Sequence, residues 1–484
     1  MKNLNRRSFL KSTALASTAT VAWSARSWAQ VRSANDDVRV AVVGFGGRGK
    51  EHINGFSKQK GCRLTALCDV DDAILGKEKQ KWADEGVAVD GFTDIRKLLE
   101  NKNIDVISIA TPNHWHSLAA IWGIQAGKDV YVEKPVSHNV WEGRKLVEAA
   151  RKHKKIVQAG TQSRSSYAIR EAVEWVQQGN LGKILVARGL CYKPRPSIGK
   201  ADGPQPVPPG VNYDLWCGPA PMDPIRRKRF HYDWHWFWNY GNGDLGNQGI
   251  HEMDIARWFL GVRELSPRVV SLGGRLGYED DGETANTQIV YHDYPKAPLI
   301  FEVRGLPEAK NSTKMDKFPP KNGGSVGVVI HCEGGYVVVP GYTGAVAYDK
   351  DDKEIKSWKG GVNHFENFIK GVRSRKESDL NADILEGHLS SALCHTGNIS
   401  YRLGRKQKQD EIREAIKSSH PLLESAQRMF AHLKANEVDL DTTQAALGVA
   451  LVMDPKSERF IGNDKANEML TREYRKPYVV PEKV

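Results

Sequence analysis

The stretch VRVAVVGFGGRG, residues 38–49, decides how the first third of this chain folds. Its first half is a nearly unbroken apolar run rich in valine, the pattern of a strand buried on both faces. The run ends in Gly44-Phe-Gly46-Gly47-Arg48-Gly49, a GxGxxG turn that opens into a helical pattern. Asp69 closes the next apolar run, RLTALCD, 20 residues beyond Gly49. Strand, glycine turn, helix and distal acid together form a dinucleotide-binding fingerprint. The first glycine makes the tight turn, the second lets backbone N–H groups approach a pyrophosphate, and the third lets helix and strand pack closely. The helix N-terminus adds partial positive charge beneath the phosphates. Asp69 is placed to accept hydrogen bonds from ribose hydroxyls and to repel a 2′-phosphate. Val70 offers no compensating cation, so NAD is expected rather than NADP.

Working outward, IDVISIA (104–110), DVYVEK (129–134) and KIVQAG (155–160) repeat the strand pattern. Helical periodicity fills the gaps, near 48–58, 72–83, 94–101, 114–126 and 139–153. Alternation of this kind predicts a parallel sheet with helices on both faces over residues 36–160. Ligands bind such sheets at the carboxyl ends of the strands. Two further stretches stand there, ATPNHWH (110–116) with Thr111, Asn113 and His116, and VEKP (132–135) with Glu133 and Lys134. The residue before a proline is pushed into extended backbone, so Lys134 should project from the sheet edge, where an ammonium could stabilise charge on a reacting oxygen.

As a set, GxGxxG with Asp69, TPNHWH and Glu133-Lys134-Pro135 resembles the Gfo/Idh/MocA oxidoreductase family, over roughly residues 38–404. The resemblance implies an α/β protein with a Rossmann domain followed by an α/β domain built on a large, mostly antiparallel open sheet. It also implies a nicotinamide and a sugar or polyol meeting between the two, with Lys134 as the lysine of the family's EKP motif. The remaining sequence accommodates this. KILVARGLCY, PRVVSLGGRL, ANTQIVYHDY, PLIFEVRG, SVGVVIHCEG and YVVVPG read as successive strands of a meander within 161–404. Residues 361–373 and 382–403 read as helices.

The segment HYDWHWFWNYGNGDLGNQGIHEMDIARWFLG (231–261) carries the candidate substrate chemistry. Read as one helix, Asn247, His251 and Asp254 share a face. The family's proton acceptor is a histidine one turn after an aspartate. His251 matches the histidine, whereas Asn247 stands at the aspartate position. A carboxylate there would raise the imidazole's pKa; an amide can orient the ring but takes no charge. His251 is therefore expected to act alone as base, or through water or Asp254. The aromatic run Trp234, Trp236, Phe237, Trp238, Tyr240 either stacks on carbohydrate, Trp238 included, or belongs to the core or a subunit interface. Gln162 and Arg164, just past the fifth strand, lie where the family often contacts substrate.

The expected reaction is hydride transfer between tightly bound NAD and a carbohydrate hydroxyl. An NAD-dependent glycoside hydrolase or lyase using transient sugar oxidation is the alternative, although the extended Tyr-Pro-Thr-His pattern of those hydrolases is absent near this helix. A sugar-binding module without turnover is a third possibility.

The N-terminus bears on compartment. Arg6-Arg7, then Phe9-Leu10, a short apolar run and Ser27 and Ala29 before a cleavage point read as a twin-arginine signal over residues 1–29. That route carries folded chains into the periplasm, as a protein that must leave the cytoplasm with its dinucleotide would require. The apolar run is too short to span a bilayer, so no stable membrane anchor is expected. Of the formal charge of +12, five units belong to Lys2, Arg6, Arg7, Lys11 and Arg26, leaving a mild surplus with no basic stripe suited to nucleic acid. Six cysteines without a CxxC pair argue against zinc. Residues 405–484 fall outside the family core and read as a mainly helical extension, apolar at 422, 426, 429, 430 and 433, for packing or for contact within a homo-oligomer.

Overall fold

The computed structural model describes residues 37–319 and 323–484; the signal expected at 1–29 lies outside the described residues. The first layer alternates as the sequence requires. It runs β1 (Val38–Val43), α1 (Gly49–Ser57), β2 (Cys62–Cys68), α2 (Asp72–Asp84), β3 (Asp90–Phe92), α3 (Ile95–Glu100), β4 (Val106–Ile109), α4 (His116–Gln125), β5 (Asp129–Val132), α5 (Val140–Lys152) and β6 (Val157–Ala159). The strands pair in parallel in the order β3-β2-β1-β4-β5-β6. Strand β3 was not expected, because three residues with a central glycine carry no readable period. The helices begin where side chains can satisfy their free N–H groups: Asp71 caps α2, Asp94 caps α3 and Asn139 caps α5. This topology brings Gly44, Asp69, Thr111, Glu133 and Gly160 to one rim.

The second layer follows α6 (Tyr167–Gln177), with β7 (Ile184–Tyr192), α7 (Tyr213–Cys217), α8 (Gly243–Asn247), α9 (Gly249–Leu260), β8 (Arg268–Gly274), β9 (Thr287–His292), β10 (Leu299–Arg304), β11 (Val326–Cys332), β12 (Gly335–Val339), β13 (Gly344–Asp349), β14 (Glu354–Lys359), α10 (His364–Ser374) and α11 (Ile384–Arg402). The sheet is large and mostly antiparallel, but the expected meander is split. Strand β7 inserts between β10 and β11 and runs parallel to β10. It is buried along nearly its whole length, as a central strand must be. Helix α9 packs on one face of this sheet, where a Cβ at Gly189 of β7 would lie 3.0 Å from that of Glu252.

The segment beyond 404 carries short strands as well as the expected helices. It comprises β15 (Arg405–Gln407), α12 (Gln409–Ile416), α13 (His420–Ala435), β16 (Ala445–Leu447), β17 (Leu451–Asp454), β18 (Arg459–Phe460) and α14 (Asp464–Glu468). Strands β16 and β17 both pair with β8 and so extend the sheet. These runs are too short to show a period of two. Helix α13 lays Leu422, Ala426, Met429, Phe430 and Leu433 on the sheet's other face, against Leu272, Ile289 and Ile300. The chain then returns to the first layer, where Tyr478, Val480 and Val484 are buried. Among the described residues no helix is long and apolar enough to cross a membrane, no group of side chains could hold a metal, and all six cysteines are free.

Candidate functional site

A cavity of about 330 Å³ lies over the glycine turn, lined by Gly44, Gly46, Gly47, Asp69 and Thr111 below and by Trp216, His231 and Trp234 of the second layer above. The glycines are required by distance. Gly44 has φ +76°, and a Cβ on it would lie 2.8 Å from Thr111. A Cβ on Gly49 would lie 2.0 Å from the Gly44 carbonyl oxygen. Gly47 faces open space. Asp69 accepts hydrogen bonds from the N–H groups of Phe45 (2.9 Å) and Asp71 (3.1 Å), and burial pushes its pKa up. Thr111 Oγ1 is buried without a partner beside the cavity. An open backbone turn, an unpaired hydroxyl and an acid with no adjacent cation fit NAD, as the sequence fingerprint requires. Asn113 and His116 line the same cavity. The ring nitrogens of His116 lie 2.6 and 2.7 Å from the carbonyl oxygens of Pro135 and Thr111, clamping the two loops together. Asn113 donates to Asn242 Oδ1 of the second layer (3.2 Å).

The cavity's roof is held from both sides. The Asn212 N–H donates to the Val70 carbonyl (2.9 Å), and the Asp72 N–H to that of Gly210 (3.0 Å). The Trp115 indole donates to the Leu215 carbonyl (2.9 Å), and His231 Nε2 lies 3.0 Å from Asp71. From behind, the C-terminal segment fastens the strap formed by residues 210–218. Arg475 pairs with Asp214 and donates to the Gly218 carbonyl (3.0 Å), while the Tyr478 hydroxyl donates to Asp214 (2.8 Å).

Lys134 stands at the inner end of this cavity, over a buried acidic hub. Glu133 accepts from Arg48 Nε (3.1 Å) and Gln162 Nε2 (3.2 Å) and contacts His52 Nε2 (3.0 Å). Burial works against its charge, but His52, Arg48 and Lys134 hold its carboxyl well below the usual range. Arg48 and Gln162 therefore organise the floor under Lys134. The ammonium itself donates to the Asn247 carbonyl (2.7 Å), and burial lowers its pKa.

That carbonyl is available because the expected single helix is broken. Helix α8 stops at Asn247 and α9 starts at Gly249, with Gln248 between. Asn247 therefore contributes its backbone to Lys134; its side chain lies toward Asp244 (3.5 Å), and no hydrogen bond joins it to His251. His251 is 8% exposed, its Nδ1 has no partner, and burial followed by the Lys134 charge pushes its pKa down to about 3. A neutral imidazole beside a half-buried ammonium is the central chemical feature of the site.

Several residues escaped the sequence reading. Gln248 Nε2 donates both to the Tyr342 hydroxyl (2.8 Å) and to Glu252 Oε1 (3.0 Å), and Lys193 donates to Gln248 Oε1 (3.3 Å). The Tyr342 ring meets His251 edge-on at 5.3 Å. Burial raises the Glu252 carboxyl to about 8, so it stays protonated at neutral pH. Gln248 adjoins His251 in sequence and could have been noticed. Tyr342 sits in a hairpin loop that carries no chemical signal.

Three placements correct the sequence expectations. Asp254 does not face the cleft; it is 1% exposed and bound by Arg164 at 2.8 and 2.9 Å and by Ser390 (2.7 Å). Arg164 is consumed by the same pair, with Glu386 beside it (3.2 Å). The helix break turns Asp254 away from the face occupied by Asn247. Trp238 also lies elsewhere, its ring against Arg402 (4.8 Å) and Tyr401. Trp234, Trp236, Phe237 and Tyr240 form a buried cluster with Trp216 and Phe230, and the open question about the aromatic run resolves to core and cavity roof.

Residues 38–161 match the family model described as oxidoreductase family, NAD-binding Rossmann fold, and residues 172–302 match that family's C-terminal alpha/beta domain. A glycosyl hydrolase family 109 protein of Shewanella baltica is 30% identical over 209 residues, 38% of this chain and 45% of that protein. An alpha-N-acetylgalactosaminidase of Shewanella oneidensis is 29% identical over 209 residues, with the same 38% and 45% coverage. The match thus spans less than half the length of these curated relatives. Among solved structures, the WlbA dehydrogenase of Bordetella pertussis, in complex with NADH and UDP-GlcNAcA, superposes with a TM-score of 0.53 at 22% identity, covering 74% of this chain and 94% of that one. A levoglucosan dehydrogenase, in complex with NADH and levoglucosan, gives a TM-score of 0.55 at 16% identity, covering 74% and 95%. These structural likenesses establish the fold.

Proposed function

The chain belongs to the Gfo/Idh/MocA oxidoreductase family, and from that premise we propose that it oxidises a secondary hydroxyl of a carbohydrate. The observation that carries this reading is the meeting of Lys134 and a neutral, buried His251 at the break between α8 and α9, beside the dinucleotide cavity. Bound NAD supplies the acceptor for the hydride that leaves the carbinol carbon. His251 takes the hydroxyl proton, which a neutral ring can do and an imidazolium cannot. One Lys134 N–H is held by the Asn247 carbonyl, so the others are free to hydrogen-bond the oxygen as negative charge develops on it. Gln248 orients Tyr342 against His251, which limits the ring's motion and screens it from water.

The test is reduction of NAD by the purified protein across a panel of aldoses, polyols and glycosides, compared with Lys134→Ala. Sugar-dependent reduction that the variant loses supports the reading; its absence across the panel overturns it. A second reading is favoured by the relatives named as glycosyl hydrolases. The same oxidation acidifies the neighbouring C–H bond, a glycosidic substituent leaves by elimination, water adds, and the hydride returns to the sugar. Aglycone release without net NAD reduction would select this route.

The proposal includes folded export. Replacing Arg6 and Arg7 by lysine should leave the protein in the cytoplasm with NAD bound, checked by cell fractionation; periplasmic accumulation of that variant would refute the twin-arginine assignment.

A further inference from the structure

Beside the catalytic residues lies a second concavity, of about 800 Å³, whose function nothing above assigns. It runs between α1, which contributes Glu51 and Asn54, and two loops of the second layer, 342–343 and 360–363. Its inner end is shared with the catalytic centre. Gln162, which donates to Glu133, and Tyr342, whose ring meets His251, both line it.

Its floor is built rather than incidental. The Gly360 N–H donates to the Thr343 carbonyl (3.0 Å), and the Val362 N–H to that of Ser165 (2.9 Å), so the segment is stitched on both sides. The Gly360 carbonyl accepts from Ser166 Oγ (2.8 Å). Gly360 has φ +121°, and a Cβ there would lie 2.0 Å from the Tyr167 hydroxyl. A Cβ on Gly361 would meet Ser166 at 3.2 Å. A bare backbone floor is thus imposed by the fold.

The walls combine two chemistries. Tyr342 is 45% exposed, Val362 54% and the neighbouring Tyr167 48%, a local gathering of large apolar side chains left in water. Between them stand amide and hydroxyl groups of Asn54, Gln162 and Thr343. Charge is confined to Glu51, which Arg48 holds at 2.7 Å, and to Lys58. Exposed apolar side chains interleaved with neutral donors and acceptors suit a ligand that has C–H faces and hydroxyl edges but no charge.

We propose that this groove binds a neutral sugar ring joined by a glycosidic bond to the ring oxidised at His251, so that the substrate is an oligosaccharide or glycoside rather than a free monosaccharide. The inference rests on the carbohydrate reading of the catalytic cleft. The linkage rests on proximity: Tyr342 lines the groove with its ring 5.3 Å from that of His251, and Gln162 lines it while donating to Glu133 (3.2 Å), the residue before Lys134.

The test is retention of the full NAD-loaded protein on a glycan array of mono-, di- and trisaccharides, comparing wild type with Val362→Trp, which fills the groove, and Asn54→Ala, which removes an amide. NAD content of each variant confirms that it folds. Retention on di- or trisaccharides that falls at least tenfold in Val362→Trp and measurably in Asn54→Ala is the expected result. Retention on monosaccharides that Val362→Trp abolishes would place a separate sugar in the groove and overturn the linkage. No retention on any saccharide, or equal retention by wild type and Val362→Trp, would overturn the groove itself. Failure of the oxidation reading shows separately, as absent Lys134-dependent NAD reduction.

Discussion

In the proposed reaction Lys134 and His251 divide the work by charge, and burial lowers the pKa of both. Lys134 keeps one N–H on the Asn247 carbonyl, so replacing it by alanine removes the developing oxyanion's donor without touching the glycine turn. Loss of one such donor costs about 10²–10³ in rate. Lys134→Ala should therefore lose that much in kcat/KM while the purified variant retains wild-type NAD content, measured after denaturation. The pH profile follows from the same two groups. A base works while unprotonated, and His251 is pushed down to about 3, so activity should persist on the acid side well below the ordinary histidine range. Lys134 acts while protonated, and burial lowers its pKa, so the alkaline limb should fall below the usual lysine range. A pH–rate profile with an acid limb near ~6.5 that disappears in His251→Asn would show the ring to be exposed instead.

At the scale of the element, two junctions decide the site. The β1–α1 turn tolerates no side chain at Gly49, where a Cβ would sit 2.0 Å from the Gly44 carbonyl oxygen. Gly49→Ala must separate helix from strand. We expect a stability loss of about 1–3 kcal/mol from overpacking, read by thermal melting, together with much weaker NAD binding. An unchanged melting temperature and full NAD occupancy would contradict that geometry. The second junction is the break at Gln248. A continuous helix would have put Asn247, His251 and Asp254 on one face, as sequence spacing proposed. The break instead exposes a carbonyl for Lys134 and sends Asp254 to Arg164. Spacing rules assume unbroken helical geometry, and the segment GNGDLGNQG is glycine-rich enough to violate it.

The whole molecule adds a clasp. The strap that roofs the dinucleotide is pinned to the first layer at Val70, Asp71 and Trp115 and from behind by Arg475 and Tyr478, residues that no local pattern connects to a cofactor. Arg475→Ala should speed NAD release about tenfold, the effect of some 1.4 kcal/mol of lost hydrogen bonding to a charged group. Fluorescence of released nucleotide measures it, and an unchanged release rate would mean that the first-layer contacts alone hold the strap.

What the sequence determined by itself is local. The parallel order of strand and helix, the glycine turn, Asp69 and the preference for NAD follow from period, sterics and charge within a few residues of one another. Lys134 and His251 were singled out through the family resemblance that their short motifs carry, not through spacing; the partners the structure gives them, Asn247 and Tyr342, lie far along the chain. The tertiary structure decided what depends on distant segments meeting. It set the place of β7 at the centre of the sheet, the partnership of Arg164 with Asp254, the burial of the aromatic run, the approach of Tyr342 to His251 and the return of the C-terminal segment to the cofactor roof. Each joins residues dozens to hundreds of positions apart, and periodicity reports which face of an element is apolar, not which other element will cover it.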